Sequence, residues 1–121
     1  MVAENPLSLY AFIVKAQDIL TIEIHHENPD VEAQIRKDAL TIALGVSKFA
    51  EPMHVYDEQD GMQLYWQIDG SLVRINIYVK ENSHAEVRIN VVEGITVYEN
   101  IPVDAVVPIV LPELEKLFTN L

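Results

Sequence analysis

The stretch Met62–Val79 constrains this chain more than any other, because two alternating runs flank an Asp-Gly pair. Met62, Leu64, Trp66 and Ile68 alternate with Gln63, Tyr65 and Gln67. Beyond Asp69-Gly70, Val73, Ile75, Ile77 and Val79 alternate with Leu72, Arg74, Asn76 and Tyr78. A period of two marks strands with one dry and one wet face. Asp-Gly suits a two-residue hairpin turn, whose central residues take positive φ. Such a turn pairs Trp66 with Val73, Leu64 with Ile75 and Met62 with Ile77. Each pair is apolar on both sides, so turn chemistry and pattern agree on an antiparallel hairpin. Trp66 is expected inside.

Two helices precede this hairpin. Asn5-Pro6 and Asn28-Pro29 each place a capping side chain before a proline that needs no donor. After the first, Leu9, Phe12, Ile13, Ala16, Ile19 and Leu20 recur at steps of three and four. After the second, Asp30 and Glu32 favour the positive end of the helix dipole, and Ile35, Ala39, Ile42, Val46 and Phe49 form a regular stripe. That helix must stop before Pro52. The short break at His25–Asn28 argues an antiparallel helical hairpin.

Strands continue on both sides of the central pair. Met53–Tyr56 is a short candidate, followed by the loop Asp57–Gly61. Ala85–Val92 puts Val87, Ile89 and Val91 on one face. It meets the preceding strand with Val73 opposite Val91 and Ile75 opposite Ile89, which demands an odd loop, Glu81-Asn82-Ser83, with Asn82 left-handed. At Glu93-Gly94 a glycine bulge that matches Val91 with Val97 is preferred to a two-residue loop that matches Val91 with Thr96. Pro102 and Pro108 make Ile101–Leu111 an edge strand or extended segment. Pro112 then opens a short helix bearing Leu114, Leu117, Phe118 and Leu121. The expected fold is α+β: an N-terminal antiparallel helical hairpin on one face of a four- to five-stranded antiparallel meander, with a short C-terminal helix, all in a single domain 1–121.

Composition bounds function by exclusion. With 121 residues, 50% of them hydrophobic, the chain has enough apolar surface for one ordinary core. It has no cysteine, so thiolate chemistry and disulfides are out, and a reducing compartment is favoured. No apolar run approaches the roughly 18 residues of a membrane span. Leu7–Val14 follows Glu4 rather than basic residues, unlike a signal peptide, so the expected location is cytoplasmic and no membrane partner is expected. Nineteen acids against eight bases give a net charge of −11. That repels phosphate backbones, which disfavours nucleic acid, and favours basic protein partners and hard cations.

Candidate chemistry falls in three places. On the polar face of the expected sheet, Tyr65, Arg74 and Asn90 form one row, Gln63, Asn76 and Arg88 the next, and Tyr78 sits opposite Glu86. Two of the three arginines of the chain lie on this surface. Arginine forks and tyrosine rings supply contact area and directed hydrogen bonds at modest entropic cost, so these residues are the candidate partner-binding set. The bland alternative is a solvated outer face. The second place is the loop bearing Asp57, Glu58 and Asp60, an oxygen-rich cluster suited to Ca²⁺. It is no EF-hand, since Tyr56 and Gln67 stand where that motif needs acids; ordinary turn chemistry also explains it. Third, His25 and His26 with Glu23 and Glu27 match no metal-ligand spacing, and His54 and His84 are isolated. No phosphate loop, nucleophile elbow or dinucleotide fingerprint occurs.

The resulting expectation is a non-enzymatic acidic interaction module that binds, masks or chaperones another protein through the polar sheet face. In size and charge alone the chain is similar to small antitoxin-like, immunity-like and secretion-chaperone-like proteins. The alternative is a small non-EF-hand Ca²⁺ buffer or sensor. A homodimer through the free sheet face or an edge strand is compatible with either.

Overall fold

In a computed structural model, residues 6–22, 28–47, 53–58, 61–68 and 73–119 are described. Two helices, α1 (Pro6–Thr21) and α2 (Pro29–Ser47), precede five strands: β1 (Met53–Glu58), β2 (Gly61–Ile68), β3 (Val73–Lys80), β4 (His84–Val91) and β5 (Gly94–Pro102). A third helix, α3 (Val103–Thr119), follows directly. The strands form one antiparallel meander in the order β1-β2-β3-β4-β5. Helix α1 touches β1, α2 touches β2 and β3, and α3 touches β4 and β5.

Period and parity explain which side is dry. On α2, Ile35, Ala39, Ile42 and Val46 are fully buried, as their spacing requires. They pack against Met62, Leu64 and Trp66 of β2, Val73, Ile75, Ile77 and Val79 of β3, and Ala85, Val87 and Ile89 of β4 in one core cluster. Trp66 is wholly enclosed, its indole Nε1 without a hydrogen-bond partner. The opposite face of the sheet carries no helix among the described residues. The stripe of α1 is narrower than its sequence suggests: Ile19 is buried, whereas Ile13 and Leu20 are exposed.

The second helix opens as its cap predicts. Asn28 Oδ1 accepts a hydrogen bond from the Asp30 amide at 2.9 Å, and the Glu32 amide donates to the Asn28 carbonyl at 3.1 Å. Farther along, the side chain of Arg36 crosses to α1. Its Nη1 donates to the Ile19 carbonyl at 2.7 Å, and its Nη2 donates to the Ile22 carbonyl at 2.5 Å and to Glu32 Oε1 at 2.8 Å. One guanidinium thereby donates to two carbonyls at the C-terminal end of α1.

Three registers bear on the sheet surface. Between β3 and β4 the expected pairing holds: Ile75 opposes Ile89, Asn76 opposes Arg88 and Tyr78 opposes Glu86. Asn82 and Ser83 both adopt left-handed backbone, at φ 62° and 54°. Between β2 and β3 the pairing is displaced by two residues. Ile68, not Trp66, opposes Val73; Trp66 opposes Ile75, Leu64 opposes Ile77 and Met62 opposes Val79. A shift of two preserves the faces, and it adds the apolar pair Ile68–Val73 and the buried pair Met62–Val79 to the ladder. The turn residues Asp69–Leu72 lie outside the described residues.

Between β4 and β5 neither expected register is correct. Val91 opposes Gly94, Ile89 opposes Thr96 and Val87 opposes Tyr98. The irregularity lies instead at the far end, between Ala85 and Val87, where Ala85 opposes Ile101. Glu99 and Asn100 thus share one position opposite Glu86, and Asn100 takes the left-handed conformation at φ 50°. This bulge returns Ile101 to the helix-covered side.

The last correction concerns the C-terminal helix, which begins at Val103, not at Pro112, and contains both Pro108 and Pro112. Val103, Val106, Val110 and Leu114 recur at helical steps and are buried, while both prolines are exposed. A missing amide on the solvent side leaves carbonyls that water can satisfy, so the apolar stripe prevails over the prolines.

Candidate functional site

The helix-free face of the sheet presents three rows. Gln67 opposes Arg74, which opposes Asn90, which opposes Ile95. In the second row Tyr65 opposes Asn76, Arg88 follows and then Val97. In the third, Gln63 opposes Tyr78 and Tyr78 opposes Glu86. The six expected partner-binding residues, Tyr65, Arg74, Asn76, Tyr78, Arg88 and Asn90, therefore share one face, but Tyr65 shares its row with Asn76 and Arg88 instead of with Arg74 and Asn90. The two-residue displacement of β2 against β3 is the reason.

Local contacts pre-order part of this surface. Gln63 Nε2 donates to Asn76 Oδ1 at 2.6 Å, a diagonal cross-strand bond. Arg88 Nε donates to Glu86 Oε2 at 2.9 Å, and its guanidinium carbon lies 5.7 Å from the Tyr78 ring centroid. Arg88 is thus held by a carboxylate and lies over a ring, with half of its side chain still exposed. Arg74 is exposed. At one end of the same face Val92, Ile95 and Val97 are exposed by 79, 67 and 43% respectively.

Sequence reading missed Ile95 and Val97 as site residues because it placed Val97 inside. The alternation Ile95-Thr96-Val97-Tyr98 permits either parity, since Thr and Tyr suit a half-buried position as well as Ile and Val suit a core. Only the Val91–Gly94 pairing decides which set faces out.

The carboxylate loop is not laid out as expected. Asp57 and Glu58 belong to β1, in register with Met62 and Gly61, and not to the loop that follows it. Asp60 lies outside the described residues, as do His25, His26, Glu23 and Glu27. Among the described residues, no three His, Asp or Glu side chains are grouped so as to hold a metal ion. His54 belongs to β1, opposite Tyr65. His84 is exposed, and its Nδ1 lies 2.7 Å from the Asn82 carbonyl. A carbonyl only accepts, so Nδ1 carries the proton there.

No described helix is long and apolar enough to cross a membrane. No protein-family model, curated protein or solved structure matches this chain significantly. Its chemistry is read from the residues.

Proposed function

We propose that this protein is a non-enzymatic interaction module that binds, masks or chaperones another protein through the helix-free face of its sheet. One observation carries the reading: Arg74, Arg88, Tyr65 and Tyr78 lie on the same open face as the exposed aliphatic side chains of Ile95 and Val97. Arginine and tyrosine around an exposed apolar strip is the composition of an interface core with its polar surround. An apolar patch bordered by polar groups suits a docking surface.

The chain as a whole would attract a basic partner, but the face itself carries Arg74, Lys80 and Arg88 against Glu86 and Glu99 among the described side chains. A partner seated there gains most by offering carboxylates to the two arginines and an apolar strip to Ile95 and Val97. The double substitution Arg74→Ala with Ile95→Ser removes both kinds of contact along one row. It should abolish co-purification of the bound protein while the thermal melt stays close to that of the parent. Undiminished co-purification would remove this face from consideration.

A further inference from the structure

The two edges of the sheet are built differently. Strand β1 carries Asp57 and Glu58 among its six residues, and charge on an edge keeps other strands away. Strand β5 has a strand neighbour on one side only, β4. From Gly94 to Tyr98 it holds no charge and no proline, and Gly94, Ile95, Thr96 and Val97 are all exposed. An unprotected edge of this kind offers a row of amides and carbonyls to another strand. In a chain of net charge −11, it is also a stretch on which like charges do not meet.

A second copy of β5 fits this edge in one register. Copies related by a two-fold axis normal to the sheet pair antiparallel and keep their faces, so the axis passes through one residue. An axis through Val97 sets Ile95 against Glu99 of the second copy, and an axis through Ile95 sets Val97 against its Glu93. An axis through Thr96 sets Ile95 against Val97 of the second copy and Val97 against its Ile95, so four exposed aliphatic side chains close on one another. On the other face Thr96 meets Thr96, a favourable cross-strand pair, and Tyr98 lies against Gly94, where a ring covers a position without a side chain. Glu93 and Glu99 then meet only at the two ends of the ladder, where both are exposed.

We propose that this protein forms a homodimer by antiparallel pairing of β5 with β5 of a second copy, centred on Thr96, which joins the two sheets into one. The inference stands on the strand edge and not on what the helix-free face binds.

The chain has no cysteine, so a single introduced one reports the register. Side chains directly opposite in an antiparallel ladder have Cβ atoms about 4.5–5.5 Å apart, close to disulfide reach, whereas those offset by two positions are about 7–8 Å apart. Under mild oxidation Thr96→Cys should form a disulfide-linked dimer at least about tenfold faster than Val97→Cys. Sedimentation velocity of the unmodified chain from about 5 to about 500 µM should show monomers passing to dimers, more readily in about 0.5 M than in about 0.05 M NaCl, because salt screens the repulsion between two acidic copies. Val97→Lys lowers the net negative charge yet places an ammonium in the join, and it should weaken the dimer at least about tenfold. Arg74 lies on β3, with β4 between it and the edge, so Arg74→Ala should leave the dimer intact and loss of a bound partner is read separately from loss of the dimer. A parent that stays monomeric throughout, a Val97→Lys variant that dimerises like the parent, or Val97→Cys cross-linking as fast as Thr96→Cys would overturn the proposal.

Discussion

Arg36 shows what one side chain contributes once the chain is folded. From α2 it reaches two carbonyls at the end of α1 and the carboxylate of Glu32, with its own side chain 17% exposed. Charged hydrogen bonds of this kind are worth about 1.5–3 kcal/mol each, and their loss also strands the carbonyls. Arg36→Ala should therefore lower the unfolding free energy by about 2–3 kcal/mol in a urea melt. Arg36→Lys should recover only part of that, since an ammonium lacks the planar fork that spans three acceptors. Parental stability in both variants would show that α1 does not need this clasp. Nothing in the sequence marks Arg36 for the role. The reach from position 36 to Ile19 and Ile22 exists only after α1 and α2 lie side by side. The cap at Asn28, by contrast, is legible because it acts on amides two and four residues away.

At the scale of elements, Gly45 decides how α2 meets α3. A Cβ at this position would lie 2.7 Å from Val107 Cγ2 and 3.1 Å from Cγ1. Valine in a helix has one strongly preferred rotamer, so it yields poorly. Helix propensity favours alanine over glycine by roughly 1 kcal/mol, whereas overpacking costs about 1–3 kcal/mol. Gly45→Ala should therefore destabilise the protein, with a lower urea midpoint at an unchanged slope. A raised midpoint would mean that the two helices do not approach this closely. The same packing explains why α3 keeps two prolines. Its buried stripe, Val103, Val106, Val110 and Leu114, runs through the segment that Pro102 and Pro108 mark as an edge strand or extended segment in the sequence. Strand β5 carries a comparable lesson. Its alternation is legible and its parity is not, because parity depends on which residue of β5 meets Val91, and the bulge farther downstream at Asn100 exists only by virtue of its pairing with β4.

At the scale of the whole molecule, charge dominates. Nineteen acidic residues face eight basic ones, and ion pairs such as Lys15 with Asp18, Arg36 with Glu32, Arg88 with Glu86 and Lys116 with Glu113 join near neighbours in the chain. Exposed pairs of this type contribute little, while a large like-charge excess opposes the compact state. Raising NaCl from a few millimolar to about 0.5 M, where the Debye length falls to a few ångströms, should raise the melting temperature. A fall in melting temperature over that range would mean that attractive pairs, not repulsion, dominate the surface. The acidity is unevenly shared. The helix-free face holds Arg74, Lys80 and Arg88, whereas Asp38 of α2 is buried away from the surface.

What the sequence determined by itself is whatever depends on near neighbours and on period: the cap at Asn28, the α2 stripe, the alternation of each strand, the odd loop Glu81–Ser83 and the α+β meander they imply. Those features follow from backbone geometry over a few residues, which composition and spacing report directly. Tertiary structure alone decided the two-residue displacement of β2 against β3, the outward parity of Ile95 and Val97, and the burial of Asp38. Each of these depends on which partner a segment meets across the fold. A strand shifted by two keeps every side chain on its own face and so leaves no trace in the alternation, and a lone aspartate on a helix does not reveal what will pack over it.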